Sequence, residues 1–160
     1  MNNNSYAGFW MRFVAVIIDG IVLSILQNII ILPILGAIGL SALVSVNFDL
    51  SMMTEEDILE MLPAIMSGIG SMILISGLIS ILYYSIMEAS KLQATLGKLA
   101  LGIKVTDENG GNLGIVKCLI RQVGKYISSF IFMIGYIMAG FTEKKQALHD
   151  MMAGALVVKK

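Results

Sequence analysis

The sequence is poor in the residues on which most catalytic and metal-binding sites depend. It has one cysteine, Cys118, and one histidine, His149, so it holds neither an internal disulfide nor a paired zinc motif such as H-E-x-x-H or C-x-x-C. His149 and Asp150 are adjacent, and sequence neighbours do not orient each other as the members of a Ser-His-Asp triad do. We therefore predict a protein that is not an enzyme, with no bound metal or cofactor.

Charged residues are also scarce, at 14% of 160 residues against about 25% in soluble domains. Three stretches are almost free of them: residues 13–48, where Asp19 is the single charge, residues 61–87 and residues 126–142. A membrane-spanning helix needs about 20 apolar residues. The sequence therefore predicts an all-α integral membrane protein, a small bundle of about three hydrophobic helical segments. Its formal net charge of +0 gives no indication of nucleic-acid binding.

The whole chain, residues 1–160, is predicted to form a single membrane domain. Its predicted parts are span 1 (about 9–35), an outer acidic loop (about 47–60), span 2 (about 61–87), a cytoplasmic section (about 88–125), segment 3 (about 126–141) and a C-terminal tail (142–160). Pro33 is expected to kink or end the first helix, so that residues 34–46 lie along the interface or bend back. A separate crossing there is the weaker alternative. Thr54, followed by three acids, is expected to cap a helix leading into span 2.

The distribution of lysine and arginine predicts the orientation of the chain. The acidic loop has no basic residue, whereas the middle section is rich in them, so the positive-inside rule places the N-terminus and the middle section in the cytoplasm. Segment 3 is short for a crossing, has Gly135 in its middle and is followed by several lysines. We expect it to re-enter the membrane and leave the tail in the cytoplasm, in preference to a full crossing.

Two patterns stand out in the cytoplasmic section. Asn109-Gly110 is a strong signal for a tight turn, so residues 101–107 and 112–116 are predicted to pair as a short cytoplasmic β-hairpin. From Ile115 to Tyr126 apolar residues recur at helical spacing, and the basic residues Lys117, Arg121 and Lys125 share one face. We expect this amphipathic stretch to lie on an anionic membrane surface.

The charges inside the apolar stretches define the candidate site. Arg12 and Asp19 lie on one face of span 1, about 10 Å apart along its axis. If the tail is cytoplasmic, Asp150 can approach Arg12, and a buried arginine needs a carboxylate partner. The candidate site is therefore a cluster of Arg12, Asp19 and Asp150 that is either structural or handles ions or protons. The secondary candidates are Gln27, His149 and Glu88.

Three stretches of the chain resemble the RDD family of bacterial membrane proteins, which is named for one arginine and two aspartates. They are YAGFWMRFVAVIIDG with Arg12 and Asp19, QATLGKLALGIKVTDENGGNLG, and KKQALHDMMAGALVV with Asp150. The paired arginine often seen in the first motif is Met11-Arg12 in this chain. The resemblance implies a multi-pass protein of the bacterial plasma membrane, from a family connected in some members with cation/proton exchange and in others with membrane-protein partners.

Two functional hypotheses follow from the same charges. The first is a small transport component for cations or protons, in which Asp19 carries the ion. Because about three segments are too few to build a pathway in one chain, such a transporter would have to be a homo-oligomer. The second is a non-transporting adaptor or regulator of another membrane protein, in which the three charges neutralise one another and hold the fold together. In both, the lipid bilayer is the surrounding partner.

Overall fold

A computed structural model of the chain describes residues 6–45, 54–130 and 134–160. Its elements in order are α1 (Phe9–Ser45), α2 (Glu55–Ala89), α3 (Leu96–Ala100), β1 (Ile103–Asp107), α4 (Ile115–Phe130), α5 (Ile134–Ile137), a 3-10 turn (Met138–Gly140), α6 (Leu148–Ala153) and β2 (Ala155–Lys159). The chain is mostly helical, with two long apolar helices and one antiparallel sheet of two strands.

Two helices are long and apolar enough to cross a membrane among the residues that the structure describes. They are Phe9–Ile34, with a mean hydropathy of 2.3, and Glu55–Ala89, with 2.1. Of the two expectations for Pro33, a kink or an end of the first helix, the end is wrong, because α1 continues through Pro33 to Ser45. Proline lacks one backbone donor, a loss that long apolar helices tolerate when neighbouring groups satisfy the freed carbonyl.

The predicted start of the second long helix is confirmed. Thr54 precedes α2, and its Oγ1 accepts a hydrogen bond from the backbone N–H of Asp57 at 3.3 Å. In return, the carboxylate of Asp57 accepts one from the backbone N–H of Thr54 at 2.8 Å. This reciprocal arrangement satisfies free donors at the helix start. The first half of the expected acidic loop, residues 47–53 with Asp49, lies outside the described residues, and its second half begins α2.

The predicted β-hairpin is wrong in its partner strand. Strand β1 pairs antiparallel with β2 from the C-terminal tail, with Val105 opposite Val157, and not with residues 112–116. The turn itself does form, because Asp107 accepts hydrogen bonds from the backbone N–H groups of Asn109 at 2.9 Å and Gly111 at 2.6 Å. Gly110 has a φ of 85° there, a conformation that favours glycine.

The side chain of Asn112 explains why the chain does not return along β1. Its Nδ2 donates to the carbonyl oxygens of Ala89 at 2.8 Å and Ser90 at 3.0 Å. Its Oδ1 accepts from the backbone N–H of Gly114 at 2.9 Å, and α4 begins at the next residue. The apolar ALVV stretch of the tail, buried along its length, takes the place beside β1.

Segment 3 is not one continuous apolar helix in the described residues. Its first residues belong to α4, which ends at Phe130, and its later ones form the short α5 and the 3-10 turn. Gly135, near which the break of a re-entrant hairpin was expected, lies within α5, and residues 131–133 just before it lie outside the described residues.

Helix α4 is amphipathic, but with its polar face turned inward. Arg121 and Gln122 are buried, whereas a set of apolar side chains is exposed: Ile115, Val116, Leu119, Ile120, Val123 and Ile127. The expectation of a basic face on a membrane surface therefore fails for Arg121, although Lys117 is exposed. A soluble helix normally shows the opposite arrangement. The outer face of α4 is suited to lipid.

The chain divides into two compact units. The first comprises Met1–Val22 and Ser80–Lys160, and the second comprises Leu23–Ile79. In the first unit the sheet packs with buried Ala15 and Cys118, and the backbone N–H of Ala7 donates to the carbonyl oxygen of Val157 at 2.8 Å. The beginning, middle and end of the sequence therefore meet in one core. In the second unit Gln27 donates to the carbonyl oxygen of Ser76 at 3.1 Å.

Candidate functional site

Buried ion pairs form the most unusual feature of the first unit. We call the following set the charge network: Arg12, Glu88, Lys98, Arg121, Lys125 and Asp150. The two carboxylates, of Glu88 and Asp150, are 0% exposed. Isolated charges at such positions would be very costly, so the geometry of their partners decides whether the fold is stable.

Asp150 binds two arginines and one backbone group. It pairs with Nη1 of Arg12, with Nε of Arg121 at 2.7 Å, and with the backbone N–H of Ala147 at 3.1 Å. Burial by itself would raise the pKa of Asp150, but the two guanidinium groups outweigh it and hold that pKa below its ordinary value. Asp150 is therefore an ionised, fully partnered carboxylate. Gly124 allows this approach of α6 to α4, since a Cβ there would lie 3.0 Å from Cβ of His149.

Arg12 ties both ends of the chain to this carboxylate. Its Nε donates to the carbonyl oxygen of Ala7 at 3.0 Å, and its Nη2 donates to that of Lys145 at 2.6 Å. A guanidinium can make several directed hydrogen bonds at once in a fixed plane. Arg12 therefore joins the start of α1 to the tail, which is the approach of Arg12 and Asp150 that the sequence suggested.

Glu88, near the end of α2, forms ion pairs with three basic side chains of the charge network. It pairs with Nζ of Lys98, with Nη1 of Arg121 at 2.5 Å and, more distantly, with Nζ of Lys125 at 4.0 Å. Arg121 thus bridges Glu88 and Asp150, and these two carboxylates outweigh the effect of burial and raise the pKa of Arg121. The network is continuous because of this one side chain.

The two lysines differ in how firmly they are held. Burial lowers the pKa of both, against the attraction of Glu88, and brings that of Lys125 to about 7. Lys125 donates to Oε1 of Gln122 at 2.9 Å, and its Nζ lies 4.2 Å from the centre of the Tyr84 ring. Lys125 is therefore the basic group of the network with the weakest carboxylate contact.

Asp19 stands apart from this network, so the expected three-point cluster is divided. Its Oδ2 accepts a hydrogen bond from Oγ1 of Thr95 at 2.6 Å. Its Oδ1 accepts from the backbone N–H of Gly97 at 2.8 Å and from the hydroxyl of Tyr83 at 3.0 Å. Within the described residues, the ion pairs of Arg12 involve Asp150 and not Asp19. Three neutral donors satisfy the buried carboxylate instead of a cation.

Gly97 makes the contact with Asp19 possible. A Cβ atom at this position would lie 2.2 Å from the carbonyl oxygen of Ala15 and 2.9 Å from Cγ of Asp19. No larger residue fits without a shift of backbone. The TLG sequence, residues 95–97, is thus a cradle that anchors the middle section to α1.

The secondary candidates have different surroundings. Glu88 belongs to the charge network, whereas Gln27 lies in the second unit. His149 is 3% exposed, with its Nε2 3.6 Å from Oδ1 of Asp150 and its ring 5.0 Å from that of Tyr136. Burial lowers the pKa of His149 to about 3, so the ring is neutral. Its Nδ1 has no hydrogen-bond partner within the described residues.

Sequence reasoning missed Lys98 and Arg121 as members of the site. Lys98 was not singled out, and Arg121 was assigned to a basic surface. Helical spacing placed Arg121 on the polar face of α4, but it carried no signal for which face of the helix is buried. Among the described residues, no group of three or more His, Cys, Asp or Glu side chains could hold a metal ion.

Comparison with known proteins supports a family assignment. The RDD family matches residues 6–154. The uncharacterized protein YxaI of Bacillus subtilis (strain 168) is 40% identical over 154 residues, which cover 96% of this chain and 97% of that protein. The uncharacterized membrane protein YteJ of the same strain is 27% identical over 157 residues, 97% of this chain and 82% of YteJ.

A third relative, the uncharacterized protein RP437 of Rickettsia prowazekii (strain Madrid E), is 42% identical over 65 residues, 41% of this chain and 36% of that protein. No solved structure matches the chain. The family match spans the N-terminal motif of Arg12 and Asp19, the middle section and Asp150. With two candidate spans and these relatives, the chain belongs to the RDD family of membrane proteins.

Proposed function

We propose that this RDD family protein is a non-catalytic, non-transporting membrane adaptor or regulator that binds another membrane protein. One observation carries the proposal: every buried carboxylate that the structure describes in the first unit is held by fixed donors. Asp150 and Glu88 are held by arginine and lysine, and Asp19 by Thr95, Gly97 and Tyr83. Carboxylates held by fixed donors in this way stabilise the fold.

Transport of cations or protons is the second hypothesis, and it stays a prediction. An ion-carrying carboxylate must exchange its ligands for water or for the ion during each cycle. At Asp19 this exchange would strip three hydrogen bonds from a carboxylate that is 0% exposed. Two candidate spans are also few for a two-sided pathway within one chain.

The sheet supports a cytoplasmic location for the N-terminus, the middle section and the tail together. A layer of hydrocarbon cannot separate strands that hydrogen-bond to each other, so β1 and β2 belong on one side of a membrane. The ladder places Lys104 next to the tail, and a surface depression there is lined by four lysines: Lys91, Lys104, Lys159 and Lys160. By the positive-inside rule that side is the cytoplasm of a bacterial cell.

An exposed face of α2 supports the binding of another membrane protein. In the second unit, a Cβ atom added at Gly68 would meet no atom within 4 Å in the described part of the chain. Ser67 and Ser71 on the same helix bond back to their own backbone, at 2.9 Å and 2.8 Å. Small residues of this kind let a second helix approach closely in lipid.

The proposal predicts a membrane-protein partner that this face holds. Affinity-tagged protein is crosslinked in intact cells, solubilised in mild detergent and analysed by mass spectrometry, beside a Gly68→Leu variant. We expect one membrane protein in stoichiometric amount with the wild type and at least about tenfold less with Gly68→Leu, because leucine blocks close helix approach.

The matched control is Gly20→Leu, another glycine with open space around it, on α1 in the first unit. It should retain the partner in full. Recovery of only a second copy of the chain would favour a homo-oligomer instead. Recovery of no stoichiometric membrane protein, with the chain itself intact, would contradict the adaptor hypothesis.

A further inference from the structure

The first unit contains a partly open cavity of about 460 Å³. Neither the ion pairs of the charge network nor the binding of a protein partner requires such a cavity. One part of its lining is basic and comes from the charge network: Arg12, Lys98, Arg121 and Lys125. The other part is apolar or aromatic and includes Phe13, Tyr126 and Ile137. The cavity therefore has a positively charged end and an apolar wall.

The positive end carries more charge than the carboxylates around it neutralise. Four basic side chains line the cavity, and their ion-pair partners are two carboxylates, Glu88 and Asp150. Asp19 binds neutral donors and adds no compensation. Even with Lys125 neutral, one cation is unmatched. Excess charge in a setting of low dielectric constant attracts an anion strongly.

Two nitrogen groups that can make further hydrogen bonds also line the cavity. His149, 3% exposed, is part of the lining, and its Nδ1 has no hydrogen-bond partner within the described residues. A ligand oxygen beside Nδ1 would accept a hydrogen bond from the neutral tautomer that carries its proton on this nitrogen. Lys125 is 4.0 Å from the nearest carboxylate and can turn a proton toward a ligand. Both groups suit an anionic acceptor with several oxygens, such as a phosphate.

The apolar wall continues to the outer surface of the protein. Phe13, Tyr126 and Ile137 line the cavity and are also about half exposed, at 47%, 46% and 46%. Phe13 lies on the candidate span Phe9–Ile34, whose surface is suited to lipid. A ligand in the cavity can therefore extend a hydrocarbon chain along this wall into the bilayer. A small soluble anion has no apolar part that could pack against this wall.

We propose that this cavity binds an anionic phospholipid, with the headgroup phosphate at the basic side chains and an acyl chain along Phe13, Tyr126 and Ile137. Basic pockets beside membrane helices on the cytoplasmic side bind lipid headgroups in this way. The bound lipid supplies the counter-charge that the network lacks. The proposed lipid is distinct from the protein partner of the adaptor hypothesis. The lipid proposal therefore does not depend on that hypothesis.

The proposal is tested by native mass spectrometry, which measures lipid binding to the purified protein in zwitterionic detergent. We expect phosphatidylglycerol to bind at least about tenfold more tightly than phosphatidylcholine. Ser129→Asp, which adds a carboxylate to the cavity lining, should weaken phosphatidylglycerol binding about fivefold, since one charge near a headgroup is worth about 1 kcal/mol. Its neutral control, Ser129→Asn, should bind as the wild type does.

A second pair of variants addresses Lys125 directly. Lys125→Gln should lose about fivefold in affinity for phosphatidylglycerol, whereas Lys125→Arg retains it, because the positive charge makes the contact. If Lys125→Gln does not fold, the Ser129 pair decides. Equal binding of the two lipids, or no effect of Ser129→Asp, overturns the proposal. Displacement of phosphatidylglycerol by millimolar inorganic phosphate also overturns the proposal, because this result would assign the cavity to a soluble anion.

Discussion

Replacement of Arg121 by methionine is expected to destabilise the folded protein by about 3–5 kcal/mol, the usual cost of breaking a buried ion pair from one side. Arg121 donates to Asp150 at 2.7 Å and to Glu88 at 2.5 Å, and both carboxylates are fully buried. Its loss leaves each carboxylate with fewer partners and removes the side chain that bridges Glu88 and Asp150. Arg121→Lys should rescue only part of the loss, because one ammonium cannot hold both carboxylates in the guanidinium geometry.

Cys118 provides the measurement. It is the single cysteine of the chain and is buried, and burial raises the pKa of its thiol to about 11. A thiol-reactive dye should therefore label it only on unfolding, and the temperature at which labelling becomes rapid reports stability in detergent. The control is Lys117→Met, an exposed position on the same helix, with an expected change within about 0.5 kcal/mol. Equal labelling temperatures for Arg121→Met and Lys117→Met would refute the bridging role of Arg121.

Substitution of Gly97 by alanine is expected to cost about 3 kcal/mol, at the upper end of the range for overpacked sites. The added methyl group would lie 2.2 Å from the carbonyl oxygen of Ala15 and 2.9 Å from Cγ of Asp19. The chain must then move away from α1, and Asp19 loses the backbone donor of residue 97 at the same time. The loss of one of the three donors to this buried carboxylate adds to the steric cost.

The matched variant for this test is Gly20→Ala, which adds the same methyl group on α1, where no atom lies within 4 Å. Alanine favours a helix by about 1 kcal/mol over glycine, so Gly20→Ala should leave stability unchanged or raise it. The same labelling of Cys118 compares the two. If Gly97→Ala is as stable as Gly20→Ala, the close contact at Gly97 does not hold the middle section to α1.

The sequence predicted those parts of the fold that depend on local pattern. Long apolar runs indicated the two helices that can span a membrane, and Thr54 with its acids indicated the start of α2. Asp150 was placed near Arg12 because a buried arginine needs a carboxylate, and the two do form an ion pair. In each case a strong local or electrostatic requirement allows few solutions.

Features that depend on distant contacts could not be predicted in this way. Asn109-Gly110 predicted a turn, which forms, but the partner of β1 is β2, about 50 residues away, because ALVV buries better than residues 112–116. Helical spacing placed Arg121 on a polar face correctly. It could not tell which face is inward, because in a membrane the relation between polarity and exposure can be reversed. Asp19 has the neutral partners Thr95 and Gly97, and neutral donors leave no charge pattern to detect.

The central claim is that the buried carboxylates hold the fold and do not carry ions, and proton flux with Asp19→Asn tests it most directly. Purified wild type and variant are reconstituted into vesicles with an internal pH-sensitive dye, and a cation gradient is applied. We predict that the wild type shows no flux above protein-free vesicles, while Asp19→Asn lowers the labelling temperature of Cys118, because an amide replaces an acceptor of three hydrogen bonds. Cation-driven flux with the wild type that is lost in a folded Asp19→Asn variant would contradict the claim.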